Sequence, residues 1–115
     1  MISDKAKSLI ADYIVTTFTK ASVGTGGNST YPSQLDLDVP LLTTKVSAIP
    51  VKSDESTVDF KITIQGTSAD ILGRTIREIG IFDSSDNLFT RLNFDAIGPF
   101  SSSEEVEFFI ILEVE

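Results

Sequence analysis

The chain lacks cysteine, histidine and tryptophan altogether. Without cysteine there are no disulfides, thiolate nucleophiles or thiolate metal sites. Without histidine the commonest general base and metal ligand near neutral pH is missing. A stacking platform for sugars or bases would have to use phenylalanine, Tyr13 or Tyr31. The composition therefore predicts a protein that is not an enzyme and that uses no metal and no cofactor.

Positive charge is also scarce, with nine basic against seventeen acidic residues and a net charge of −8. Nucleic acid would be repelled, because phosphate contacts need clustered lysine and arginine. The longest apolar run, Phe108–Leu112, is far shorter than the roughly 20 residues that span a bilayer. No basic segment followed by an apolar one opens the chain. We expect no nucleic-acid partner, no membrane anchor and no secretory signal.

The length predicts one domain, residues 1–115, with an N-terminal helix in residues 1–16 and a β-sandwich in residues 17–115. Ser3 is the expected N-cap, and Asp4 suits the helix dipole. The apolar residues of the helix recur at helical spacing. They are Ala6, Leu9, Ile10, Tyr13 and Ile14. This stripe can pack on the core of its own domain or dock on a neighbouring subunit, and in the second case Leu9 and Tyr13 are contact candidates.

The rest of the chain alternates between strand patterns and turns. The β-branched residues after Ile14 favour ending the helix near residues 13–15 and continuing as a strand towards Val23. Further strands are predicted at 43–51, 57–66, 75–83, 88–94 and 104–115, with a short extended piece at 35–39. Pro50 indicates an edge position or a strand end. The expected fold class is mainly β: an antiparallel β-sandwich, or small barrel, of about six to seven strands with one N-terminal α-helix.

The last strand is apolar on more than one face. Val106, Phe108, Ile110, Leu112 and Val114 share one face, which is expected to be buried. Phe109 and Ile111 lie on the other face among glutamates. We expect these two to meet either the N-terminal helix or another subunit.

The glycine-rich segment 24–33 is predicted to be a loop. It lacks the lysine of a phosphate-binding loop and the third glycine of a dinucleotide-binding turn. If the protein binds a carbohydrate or a surface receptor, the loops 24–34 and 95–103 are the expected contact region. Tyr31 and Phe100 would then be contact residues, together with the polar residues 28–30.

No constellation of residues predicts catalysis. A Ser-Lys dyad is formally possible, but no lysine is marked as buried and no serine as strained. The carboxylate pairs fall in turns and at strand ends, where solvent keeps them ionised. The oxygen-rich turn Asp83–Asn87 could hold Ca²⁺, yet it fails the EF-hand spacing and also reads as an ordinary turn.

Two residues of the strand at 75–83 are expected to have structural roles. Glu78 precedes an apolar run and is the charged residue most expected to be tied by partners. Gly80 lies between large apolar residues, where glycine is kept for a bulge or a close approach. Phe82, with Phe89 or Phe94, is expected to cover the gap that Gly80 leaves.

Three motifs together resemble small tail-fibre-like and related virion structural proteins of tailed bacteriophages. They are Val23-Gly24-Thr25-Gly26-Gly27, then Thr75-Ile76-Arg77-Glu78-Ile79-Gly80-Ile81-Phe82-Asp83, then Asn87-Leu88-Phe89-Thr90-Arg91-Leu92-Asn93-Phe94. The resemblance covers nearly the whole chain and is most specific over residues 75–94. It implies a virion protein made in the host cytoplasm, without catalytic residues, that contacts copies of itself and other virion proteins.

The resemblance favours a short tail-fibre, baseplate or collar adaptor, because longer members continue beyond the last strand into a shaft or tip. A capsid decoration protein is one alternative, and a carbohydrate- or receptor-binding module is another. A homo-oligomer is expected.

Overall fold

The computed structural model describes residues 2–115, which form one helix and seven strands in two antiparallel sheets. The predicted mainly β class with one N-terminal helix is confirmed. The four-stranded sheet has the order β2-β1-β5-β6, and the three-stranded sheet has the order β3-β4-β7. The elements, in chain order, are α1 (Asp4–Thr17), β1 (Lys20–Gly24), β2 (Val46–Ser47), β3 (Pro50–Asp54), β4 (Thr57–Gln65), β5 (Ile76–Phe82), β6 (Leu88–Ile97) and β7 (Glu105–Glu113).

The N-cap prediction for α1 is confirmed, because Ser3 Oγ accepts a hydrogen bond from the Ala6 N–H at 3.1 Å. The predicted end of the helix is wrong, because α1 continues to Thr17. Burial of Ile14 and packing of Phe18 on the core outweigh the strand preference of the β-branched residues between them. The Phe18 ring stacks on Phe89 with 4.1 Å between centroids, which fixes the last turn of the helix.

The apolar stripe predicted for α1 is only partly buried. Ala11 and Ile14 are buried against the core, whereas Leu9, Ile10 and Tyr13 are exposed. Lys52 of β3 orients the helix by donating hydrogen bonds to Ser8 and Asp12. The small Ala11 side chain lets this face approach the sheets closely, so the bulkier residues are left outside.

The predicted strand at 43–51 is split between the two sheets. β2 pairs with β1, and β3 pairs with β4. The chain crosses between the sheets at Ala48, which is fully buried and whose N–H donates to Thr19 O. Pro50 is the first residue of an edge strand, as its missing N–H requires.

The core lies between the sheets. Val58, Phe60, Ile62 and Ile64 of β4 alternate towards it, while β5 contributes Ile79 and Ile81. On β7 the predicted inner face is confirmed, since its residues pack on the core; they are Val106, Phe108, Ile110, Leu112 and, just beyond the strand, Val114. Phe94 of β6 meets Phe108 across the sheets at 5.5 Å between ring centroids.

The loop between β1 and β2 covers the opposite face of the four-stranded sheet. The extended piece predicted at 35–39 belongs to this loop and forms no strand. Leu37 and Phe82 are buried there, outside the main core cluster. β6 also runs further than predicted, to Ile97, so the connection before β7 is shorter than residues 95–103. No helix among residues 2–115 is long and apolar enough to cross a membrane.

Candidate functional site

A fully buried glutamate lies beneath the loop between β1 and β2. Glu78 Oε1 accepts hydrogen bonds from the Asp38 N–H at 2.8 Å and from Arg91 Nε at 2.7 Å. Its Oε2 accepts from the N–H groups of Gly26 and Val39, both at 2.8 Å. The expectation that Glu78 is tied by partners is confirmed, and four donors satisfy its carboxylate.

Arg91 completes this arrangement, which we call the Glu78–Arg91 clamp. Its guanidinium is almost fully buried, and it donates from Nη1 to Asn28 O at 2.7 Å and from Nη2 to Gly26 O at 3.4 Å. The clamp therefore holds the loop at two places, near its start through Gly26 and Asn28 and again at Asp38 and Val39. Because a buried ion pair must be fully hydrogen-bonded to be tolerated, the loop and the pair depend on each other.

Two glycines give the loop room to reach the clamp. A Cβ on Gly24 would lie 2.3 Å from Val39 O, and one on Gly26 would lie 2.3 Å from Asp38 Cβ and 2.6 Å from Glu78 Oε2. A Cβ on Gly27 would meet only Arg77 Nη1, at an ordinary 3.5 Å. Close approach at the first two positions explains the spacing of the first two glycines in the loop motif.

Gly80 has the close-approach role expected of it. A Cβ there would lie 2.9 Å from Leu37 Cδ2 and 3.0 Å from Phe82 Cε1. Phe82 covers the gap as predicted, but its companions are Leu37 and Leu88, whereas Phe89 and Phe94 pack on the main core. The glycine thus lets the loop side chain Leu37 seal the outside of the four-stranded sheet.

The outer side of the three-stranded sheet is an exposed apolar surface. Phe109 is 67% exposed and Ile111 is 71% exposed, and Ile49 and Val51 are each more than half exposed. We call this surface the outer sheet face and define it by Ile49, Val51, Asp59, Lys61, Phe109 and Ile111. The helix does not reach it, because α1 packs through Ala11 and Ile14 on the core side. Of the two contacts expected for Phe109 and Ile111, the N-terminal helix is therefore excluded.

Register places the outer sheet face in two adjacent rows. Val51 and Ile111 flank Asp59 in the first row. In the second row Phe109 lies opposite Lys61, whose N–H donates to Ile49 O. Sequence reasoning named Phe109 and Ile111 but missed Ile49 and Val51. Their spacing indicates that they share a face, since residues two apart in a strand do so, but which face it is depends on the pairing of Pro50 with Phe60.

The exposed side of α1 is a second exposed apolar surface. Leu9 and Tyr13, both predicted contact residues, lie exposed there beside Ile10. The Tyr13 ring meets Phe18 edge-on at 6.2 Å between centroids, which anchors one end of this patch to the core.

The two residues proposed for a receptor contact have different positions. Tyr31 is exposed and lines a groove of about 380 Å³ together with Gln34, Phe89 and Arg91. Phe100 is buried in the core, so its expected place on a contact surface is wrong. Its backbone bonds to Gly73 and Arg74, and this pairing draws the ring inside.

One serine does contact a lysine, as a dyad would require. Lys52 Nζ donates to Ser8 Oγ at 2.7 Å and to Asp12 Oδ1 at 2.9 Å. These contacts tether α1 to β3 through the three side chains.

The turn at Asp83–Asn87 uses its carboxylate to hold the backbone. Asp83 Oδ1 accepts from the N–H groups of Ser85 and Asn87, both at 2.9 Å, and Oδ2 accepts from Asn87 Nδ2 at 3.0 Å. These bonds, led by the Asn87 side chain, lower the pKa of Asp83 below its ordinary value. Among residues 2–115 no group of three or more acidic side chains is arranged to hold a metal ion. The oxygen cluster is a hairpin turn of the ordinary kind.

Comparison with known protein families finds no family that matches this chain, and comparison with curated proteins finds no relative.

Proposed function

We propose that the chain is a structural subunit of a tailed-phage virion, a short tail-fibre, baseplate or collar adaptor that acts by self-assembly and protein–protein contacts. The observation that carries the proposal is the outer sheet face. An antiparallel sheet with one solvated side normally alternates apolar and polar residues, so that the wet side is polar. Here four large apolar side chains occupy the wet side, which is typical of an interaction surface.

The virion assignment is supported by how the resembling motifs fit together. The loop motif supplies Gly24 and Gly26, the second motif supplies Glu78, and the third supplies Arg91. All four meet in the Glu78–Arg91 clamp. The three motifs thus contribute to one buried hydrogen-bond network, in which each part depends on the others.

The proposal is tested on particles of the phage whose genome encodes this chain. Mass spectrometry of purified virions should detect the chain in a fixed copy number, and cryo-EM density should show where it lies. Density on the tail supports an adaptor, whereas density on the capsid surface supports the decoration alternative. Absence of the chain from infectious particles would refute a virion role.

A carbohydrate- or receptor-binding module is the second candidate, and the groove at Tyr31 is the observation that favours it. Gln34 lines this groove, and its Oε1 atom is buried without a hydrogen-bond partner among the described residues. A glycan array should then give a signal that Tyr31→Ala removes. Leu35→Ala is the matched control, because Leu35 is exposed in the same loop but lies outside the groove.

A further inference from the structure

The outer sheet face carries a pattern of charge as well as apolar surface. Asp59 and Lys61 are neighbours on the central strand β4, one in each of the two rows, and apolar side chains flank both. Lys61 Nζ lies 3.6 Å from Oε1 of Glu107, which is on the edge strand β7. Asp59 accepts a hydrogen bond only from Ser53 Oγ, at 3.3 Å, and takes part in none of the ion pairs of residues 2–115. The centre of this face therefore presents one negative and one positive group side by side.

This pattern is complementary to itself under one particular symmetry. A two-fold axis parallel to the sheet and perpendicular to its strands exchanges the two rows when a second copy is laid face to face. Asp59 of each copy then faces Lys61 of the other, Val51 faces Ile49, and Ile111 faces Phe109. A two-fold axis along the strands would instead set Asp59 against Asp59 and Lys61 against Lys61, which is repulsive.

We propose that the outer sheet face binds a second copy of this chain face to face, with the β4 strands of the two copies antiparallel. The proposal rests on the proposed function and names the partner of its contact surface. Aligned sheets pack about 10 Å apart with strands rotated by roughly 30°, so the two central rows meet while the ends of the strands diverge. Because the strand ends diverge, the negatively charged Glu107 and Glu113 stay near solvent at the rim of the interface, where their mutual repulsion is weak.

Pairing of two copies through the free edge of β7 is the competing arrangement. Antiparallel registers centred on Phe109, Ile110 or Ile111 each set a glutamate directly opposite another glutamate; the residues involved are Glu105, Glu107, Glu113 and Glu115. Like charges directly opposite each other destabilise strand pairs. The face, with its opposite charges, is therefore the better surface for self-association.

Two variants that each reverse one of the facing charges test the proposal directly. Asp59→Lys places lysine opposite lysine in the pair, and Lys61→Asp places aspartate opposite aspartate. Sedimentation equilibrium from about 1 µM to 1 mM should show a parent dimer and at least roughly tenfold weaker association for each variant alone. An equimolar mixture of the two variants should recover association, because every facing pair is then opposite in sign. A parent that stays monomeric throughout, or a mixture no better than its components, overturns the proposal.

A second measurement covers the case in which a charge variant fails to fold. The chain has no cysteine, so single cysteines report one contact each. Asp59→Cys mixed with Lys61→Cys should form an inter-chain disulfide faster under mild oxidation than either variant alone. Equal rates in all three samples contradict the facing pair. The virion experiment is independent of both tests. If the chain is found in particles but does not pair in this way, only the present inference is refuted, and the proposed function stands.

Discussion

Glu78 and Arg91 lie thirteen positions apart in the chain, yet their side chains meet at 2.7 Å in a place that water does not reach. In the ladder Glu78 is opposite Asn93, and Arg91 is opposite Gly80, so the two charges meet along a diagonal of the β5–β6 hairpin. The absence of a side chain on Gly80 leaves the space that Leu37 enters from the loop. The pair therefore links a hairpin to a loop that has no regular structure of its own.

Removing one partner of this pair should strongly destabilise the fold. We expect Arg91→Met and Glu78→Gln each to lower the free energy of unfolding by about 3–5 kcal/mol, because the remaining group stays buried without its counter-charge. Urea denaturation followed by circular dichroism measures this. Arg77→Met is the control, since Arg77 is the exposed neighbour of Glu78, and it should change stability by no more than about 0.5 kcal/mol.

The double variant Glu78→Leu/Arg91→Met separates two causes of the lost stability: the unpaired buried charge and the lost hydrogen bonds to the loop. A buried ion pair can often be replaced by apolar residues with little effect. Here the N–H groups of Gly26, Asp38 and Val39 would lose their acceptor, so the double variant should stay well below the parent in stability. Recovery of parental stability would mean that the loop does not depend on the carboxylate.

The two adjacent glycines of the loop offer a matched pair of substitutions. Gly26→Ala should destabilise the protein by about 1–3 kcal/mol, because its Cβ would overlap Asp38 and Glu78. Gly27→Ala should have little effect, since its Cβ meets nothing closer than 3.5 Å. Hydrogen exchange should locate the difference, with faster exchange at the Val39 amide in the first variant only. Equal behaviour of the two alanine variants would contradict the close-approach argument.

The strands that could be predicted are those marked by a pattern of residues that are close together in the sequence. β4 and the β5–β6 hairpin follow from alternation and turn residues within a few positions, and both lie where the sequence places them. The clamp depends on a diagonal pair thirteen positions apart and on loop contacts between residues 39 to 65 positions apart, and alternation along a strand contains neither. Sequence alone therefore indicated that Glu78 is tied, but not that Arg91 and the loop backbone tie it.

Other errors have the same physical origin. The helix extends to Thr17 because tertiary packing of Ile14 and Phe18 outweighs weak local preference. Phe100 is buried because its own backbone pairs with residues 72–74, which lie more than twenty-five positions earlier in the chain. The exposure of Phe109 and Ile111 could be predicted from the glutamates on the same face of β7. That Ile49 and Val51 lie on the same sheet face could be known only from the order of the strands.

Acid should destabilise the protein through carboxylates that hold turns and, at Asp70, the loop backbone at Thr43. Hydrogen bonds to the ionised form lower four pKa values: those of Asp54, Asp70, Asp83 and Glu104, led respectively by the Ser56 backbone, the Thr43 backbone, the Asn87 side chain and the Ser101 backbone. Because the folded-state pKa lies below the unfolded value, this stabilisation is complete above the unfolded pKa, about pH 4, and is lost as pH falls through the folded value.

Thermal unfolding between pH 2.5 and pH 6 should therefore show a melting temperature that falls below about pH 4. Asp83→Asn removes one of the four groups and should reduce the steepness of that fall. Asp95→Asn is the control, because Asp95 is exposed and is not one of the four carboxylates. An unchanged slope for Asp83→Asn would show that this turn does not contribute to the acid sensitivity.

Two adjacent phenylalanines on β7 should separate folding from assembly. Phe108 points into the core and meets Phe94, whereas Phe109 lies on the outer sheet face. We expect Phe108→Ala to lower the free energy of unfolding by about 3–5 kcal/mol through the cavity it leaves. Phe109→Asp should keep the parental melting temperature within a few degrees and lose self-association and incorporation into particles. If Phe109→Asp instead unfolds the isolated chain, that ring belongs to the folding core and the assembly role of the face is wrong.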